Sequence, residues 1–212
     1  ATDTVVAELT WQARRRQTQD LLPATRDLLR LVGAPTAEIS ALAVTTGPGS
    51  FTGVRIGIST VKGLGLGLPQ PPQVIGVPTL SVTAWPWLCA TAGCDAAVPV
   101  CAAIQAGRGR YNWVWFGTAS PLWRPEVEDH HAGTALEFAA AIGAAGRPLR
   151  LVGELGADLR QAMRDLDQVI VVEDAAGLRR AGWLAALAAH HLATGNGDTL
   201  EALQPLYLRS PA

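Results

Sequence analysis

Cysteine, histidine and charge are all scarce in this sequence, and each scarcity closes off a class of chemistry. The 212 residues include three cysteines, Cys89, Cys94 and Cys101. They lack the paired spacing of a zinc site and are too few for a disulfide framework, so reduced and mostly packed thiols are expected. The four histidines form two adjacent pairs, His130 with His131 and His190 with His191. Neighbours on a helix or strand point in divergent directions, and no HExxH pattern occurs, so solvated or half-buried imidazoles are expected and no metal site. Charged residues make up only 17% of the chain and the net charge is −1. With a pI near 6.5, that balance excludes a broad basic surface for polynucleotide, and any tRNA contact is expected to be indirect and shared with another subunit. No unbroken apolar run reaches the roughly 18 residues of a membrane span, and no basic-then-apolar leader opens the sequence, so the expectation is a cytoplasmic protein without membrane contact. Nor does a fixed-period repeat appear.

What the chain does have is apolar residues, at 49% of the total. That suffices for a substantial core in one domain or two closely packed lobes. The most informative stretch is Thr45 to Gly57, TTGPGSFTGVRIG. Ala41 to Thr46 is apolar and partly β-branched, as a strand covered on both faces would be. Gly47, Pro48 and Gly49 break it, and Ser50 and Thr52 supply hydroxyls ahead of a helix starting near Gly53. The free N–H groups and positive dipole end of that helix suit an anion or a partner's carboxylate. A tight packing turn explains the same residues. Gly47, Gly49, Ser50 and Thr52 are accordingly weak candidates for holding phosphate.

Around this corner the pattern alternates. Val5 to Trp11 reads as a short strand, and Arg14 to Val32 as an amphipathic helix interrupted at Pro23. Thr36 to Ser40 reads as a capped turn. The helix Val54 to Leu68 carries glycines at 57, 63, 65 and 67, each costing about 1 kcal/mol relative to alanine, so a close backbone approach should offset them. Gly53, Gly57 and Thr60 give one small-residue face, suited either to intramolecular packing or to a partner. Strand Val74 to Val77, a helix opened by Pro78 and running to about Ala90, and strand Val98 to Ala106 follow, as parallel α/β units would. Arg108 to Arg110 reads as a hairpin turn into a strand Tyr111 to Thr118, whose Trp113 and Trp115 share one face and are read as core rather than as a base-stacking platform. Helix Thr134 to Ala145, strand Leu149 to Gly153, helix Leu155 to Leu166, strand Val169 to Val172 and helix Gly177 to Thr194 complete the alternation. Lobes are expected at 1–97 and 98–212, with the final helix or tail packing back on the first.

The chain resembles the TsaB (YeaZ) family of bacterial proteins, also labelled glycoprotease-like. ALAVTTGPGSFTGVRIGISTVKGLGLGL at Ala41 to Leu68 and VIGVPTLSVTA at Val74 to Ala84 are similar to its signature loop and following segment. DLLPATRDLL at Asp20 to Leu29 and QPLYLRS at Gln204 to Ser210 are similar to its first helix and its end. The resemblance implies a two-lobed actin-like (ASKHA, RNase H-like) α/β fold, the first lobe with a mixed sheet and helices. It also implies a role as scaffold of the TsaD paralogue, in the assembly that adds a threonylcarbamoyl group to adenosine in tRNAs reading ANN codons. TsaD would carry the metal and the chemistry, the TsaE ATPase would join the larger complex, and a homodimer would form when the chain is alone. No catalytic residue and no cofactor is then expected in the isolated chain, with ATP or ADP only in the complex. The implied interface comprises Asp20, Leu21, Gly53, Arg55, Gly57, Thr60, Val61 and Leu64.

Three departures from the family pattern stand out. Asp3 and Thr4 lead almost directly into Val5 to Trp11, so the first hairpin looks shortened. Gln17 replaces a histidine, and Gln105, Ala106 and Gly107 stand where the family has Asp-Ala-Arg. Two enzymatic alternatives remain. A sugar-kinase-like phosphotransferase would use Gly47 to Thr52, but no Asp follows that loop to hold magnesium. A peptidase would pair Ser50 with His130 or His190.

Overall fold

The computed structural model describes residues 4–13, 16–91, 98–107, 109–117 and 120–208. Asp3, Arg14, Cys94, Arg108, Thr118, Arg209 and Ser210, named above, lie outside them, as does most of the expected loop from Gly93 to Ala97. The chain forms two compact units, one from the described residues of 1–46, 50–77 and 180–205, the other from those of 47–49, 78–179 and 206–212. The first crossing therefore falls after Val77, not near residue 97, and residues 180–205 belong with the first unit.

The first unit holds helix α1 (Gln17–Leu31), strand β1 (Ala41–Gly47), helix α2 (Phe51–Gly67), strand β2 (Gln73–Pro78) and, from the far end of the sequence, a helix Ala181–Ala193. A short 3-10 turn, Thr36–Glu38, precedes β1. β1 and β2 pair in a two-stranded sheet. Val44, Ile58, Val61, Val74 and Leu203 form the core, with Leu42, Val54 and Leu200 against it. β1 is less covered than its apolar sequence suggests: only Val44 and Gly47 are buried. Residue 198 acts as a clasp, because its carboxylate oxygen Oδ2 accepts the Gly76 N–H at 2.8 Å and its own N–H donates to the Val74 carbonyl at 2.7 Å.

Residues 5–11 form no strand. A strand needs a partner for its backbone groups, and this segment is instead held through side chains, Glu8 pairing with Arg180 at 3.1 Å.

The second unit is built on strands β3 (Val100–Gly107), β4 (Arg110–Gly117), β5 (His131–Thr134), β6 (Leu149–Gly153) and β7 (Val169–Val171), in the order β5-β4-β3-β6-β7. β3, β6 and β7 are parallel, while β4 runs antiparallel to both β3 and β5. The mixed sheet thus belongs to this unit. Period-two alternation divides its side chains between two faces. Ala102, Ile104, Val114, Phe116 and Val152 meet Leu80, Ala84 and Leu88 of helix α3 (Thr79–Thr91). Cys101, Ala103, Trp113 and Leu151 meet Phe138 and Ile142 of α4 (Ala135–Ala145) and Leu159 of α5 (Ala157–Ala162). A sheet covered on both faces reads as an apolar run, as Val100 to Ile104 does.

β5 has no counterpart in the sequence expectation, since HAGT carries little strand signal; its pairing with β4 is what makes it a strand. Two helices are shorter than their sequences suggest. α5 stops at Ala162, and Gly177 lies outside any helix because its backbone is pressed on Gly153, where a Cβ would stand 3.2 Å from the Gly153 carbonyl oxygen. The final helix, α6 (Ala181–Ala193), begins beyond it.

Candidate functional site

The site lies within the first unit, where α1 and α2 pack side by side. α1 is held by its side chains alone: it has no fully buried residue, and Leu21, Leu28 and Leu29 are half-covered while Leu22 and Leu31 face outward. Arg16 and Asp20 pair across its first turn at 3.3 Å. Pro23 lacks an N–H for the helix ladder, and the Thr25 hydroxyl donates to the Leu21 carbonyl at 2.9 Å.

α2 starts from the glycine-rich corner. Gly47 has φ 111 and its peptide bond to Pro48 is cis; side chains rarely adopt that φ, so glycine is required there. The Ser50 hydroxyl accepts the Gly53 N–H at 3.2 Å and caps the helix. Glycine spacing then sorts the two faces of α2. A Cβ on Gly57 would meet Val44 at 3.3 Å and one on Gly65 would meet Leu200 at 2.8 Å, so this face is pressed on the unit's own core. Gly63 opens onto free space on the other side.

That other side forms a groove of about 700 Å³ with α1. Leu21, Leu22, Phe51, Ile56 and Leu64 supply its apolar walls, and Thr18, Ser59 and Thr60 its hydroxyls. Arg55 is the charged side chain among its described lining residues, its guanidinium 3.9 Å from the centre of the Phe51 ring. An i,i+4 cation and aromatic pair stacks this way naturally on a helix. Leu22 is 49% and Phe51 61% exposed. Apolar walls with one cation and a few hydroxyls can seat an amphipathic surface; they do not assemble a proton-transfer pair.

Of the eight residues expected at an interface, the groove brings together Leu21, Arg55, Thr60 and Leu64. Val61 is buried in the unit's core and Gly57 faces β1, so the small-residue face serves internal packing at these positions. Gly53 belongs to the helix cap, and Asp20 to its pair with Arg16. Leu22, Phe51 and Ile56 were absent from the sequence expectation, although Phe51 with Arg55 and Leu21 beside Leu22 on an amphipathic helix carry the signal. Among the weak phosphate-loop candidates, Gly47 is buried, Gly49 and Ser50 are exposed, and Thr52 lines the groove. No acid stands in the first turn of α2.

Perturbed titrating groups lie in the second unit. Burial, then the hydrogen bond and charge of Asp158, push Tyr111 up to about 12, its hydroxyl donating to Asp158 Oδ1 at 2.5 Å. The same bond holds Asp158 below the usual carboxylate range. Burial pushes the Cys101 thiol well up and the His130 imidazole down. His191, expected to be solvated or half-buried, is 2% exposed in α6, whose inner face its ring joins. Among the described residues no group of three His, Cys, Asp or Glu side chains is placed to hold a metal. Nor is any helix long and apolar enough to cross a membrane.

A family model described as TsaD: tRNA N6-adenosine threonylcarbamoyltransferase matches residues 10–121. The tRNA threonylcarbamoyladenosine biosynthesis protein TsaB of Escherichia coli (strain K12) is 39% identical over 124 residues, 53% of this chain and 51% of that protein. A tRNA N6-adenosine threonylcarbamoyltransferase of Symbiobacterium thermophilum is 40% identical over 65 residues, 31% of this chain and 18% of that protein. A Pseudomonas aeruginosa structure, described as similar to the peptidase YeaZ, superposes with a TM-score of 0.64 at 27% identity over 92% of this chain and 85% of that one. The chain spans about half the length of the E. coli relative, and less of the S. thermophilum one.

Proposed function

Because the chain belongs to the TsaD family and is similar to its TsaB members, we propose that it acts as a non-catalytic partner of a TsaD paralogue in threonylcarbamoyladenosine modification of tRNA. The observation that carries this reading is the α1–α2 groove: an apolar surface on the outer side of two helices, with Leu22 and Phe51 half or more exposed beside it. Patches of this kind on a folded chain mark places where another protein sits. Leu21, Thr60 and Leu64 contribute the walls that the partner covers. A second copy occupies the same face when the paralogue is missing, the TsaE ATPase joins the larger assembly, and the work is cytoplasmic, with tRNA and any ATP or ADP engaged only in the complex.

Ser50 fits a helix cap better than a nucleophile, since its oxygen is taken up by the Gly53 N–H. This supports the scaffold over the peptidase suggested by the name of the P. aeruginosa relative. The test is co-expression with the TsaD paralogue from the same source, followed by size-exclusion chromatography. A stable heterodimer that Leu22→Asp and Phe51→Asp each disrupt, with circular dichroism unchanged, is the expected result. Absence of the heterodimer, or turnover of a substrate by the chain alone, overturns the reading.

A further inference from the structure

We infer that the surface received by the α1–α2 groove carries a carboxylate set between apolar anchors, and that Arg55 reads it; this rests on the docking reading above. Leu22 and Phe51 flank the groove from its two helices. A partner that buries both also covers Arg55, whose guanidinium lies 3.9 Å from the Phe51 ring centre. Stacking on that ring orients the planar fork without neutralising it. A cation taken out of water is strongly destabilising unless an acid meets it, so an all-apolar partner face would be rejected here.

The groove does not supply that acid itself. No Asp or Glu is among its described lining residues, and Asp20 on α1 is engaged with Arg16 at 3.3 Å. A second copy presents the same groove with the same cation, and groove-on-groove pairing sets like charge against like. Charge complementarity therefore favours a different chain, one whose docking helix carries Asp or Glu within reach of a bidentate guanidinium pair.

Titration calorimetry of the full chain with the TsaD paralogue at several sodium chloride concentrations tests this. Wild type is expected to bind with an affinity that falls as salt rises. Arg55→Gln is expected to bind on the order of thirtyfold more weakly with a shallower salt dependence, and Arg55→Lys to recover only part of the loss because an ammonium cannot make the forked pair. Arg55 is exposed, and matching circular dichroism confirms that the variants fold. If Arg55→Gln binds as wild type does while Leu22→Asp abolishes binding, the docking reading stands and the carboxylate inference fails. If Arg55→Gln weakens self-association and spares the heterodimer, the acid belongs to a second copy and the inference also fails. If wild type does not bind the paralogue at all, the docking reading fails and takes the inference with it.

Discussion

A methyl group added at Gly76 would stand 2.5 Å from the Thr46 side chain and 2.9 Å from Leu203. Neither neighbour can withdraw without disturbing the core beneath β2, so Gly76→Ala is expected to destabilise the chain by about 1–3 kcal/mol, read as a lowered urea midpoint. Gly63→Ala meets nothing within 4 Å and removes a helix-weakening glycine, so the same measurement should show a gain of up to about 1 kcal/mol. Tyr111 sets a second residue-scale expectation. Its folded value of about 12 lies above the ordinary value of 10.0, so its contribution is fully present below pH 10 and is lost as pH rises through 12. Thermal melts between pH 9 and 12 should show a steeper fall for wild type than for Tyr111→Phe. An identical fall would assign the alkaline loss to other groups.

Whole elements differ in how firmly they are held. α4 is secured at its start by a reciprocal cap, Thr134 accepting the Glu137 N–H at 3.3 Å while the Glu137 carboxylate accepts the Thr134 N–H at 2.7 Å. Thr134→Ala should cost about 1 kcal/mol in denaturant melts. α1 is the opposite case, with no side-chain cap and no buried residue. Its amides should exchange with deuterium sooner than those of α3 or β3, and a bound partner should slow them. Equal protection of α1 and α3 in the isolated chain would argue against an open docking face.

At the scale of the molecule, most of the fold could be read from the sequence and most of the site could not. Strands such as Leu149–Gly153 and helices such as Ala135–Ala145 were legible because their apolar periods and caps are local. β5 was illegible because HAGT becomes a strand only through β4, and residues 5–11 misled because alternation gives no backbone partner by itself. In the site, Leu21 and Arg55 were legible from the amphipathic pattern and the signature helix. The inward turn of Gly57 and Val61 was not, because small-residue spacing does not say which neighbour approaches. The discontinuous first unit was only partly foreseen: Leu200 and Leu203 pack on α2 and the β1–β2 core from more than a hundred residues away in sequence. Deleting everything after Arg179 should therefore lower the protease resistance of α2 and β2 while sparing β3 and β6, as peptide mapping of the fragments would show.

The clasp at Asp198 also sets the order in which newly made protein can mature. Synthesis proceeds from the amino end, and folding units usually consolidate as they emerge from the ribosome. Here residues 78–179 are contiguous and can settle while translation continues, whereas the earlier-made stretch must wait for Asp198 and Leu203 to arrive. A pause in elongation before those codons would leave the oldest part of the nascent polypeptide unfinished, and it is this part that chaperones would be expected to shield.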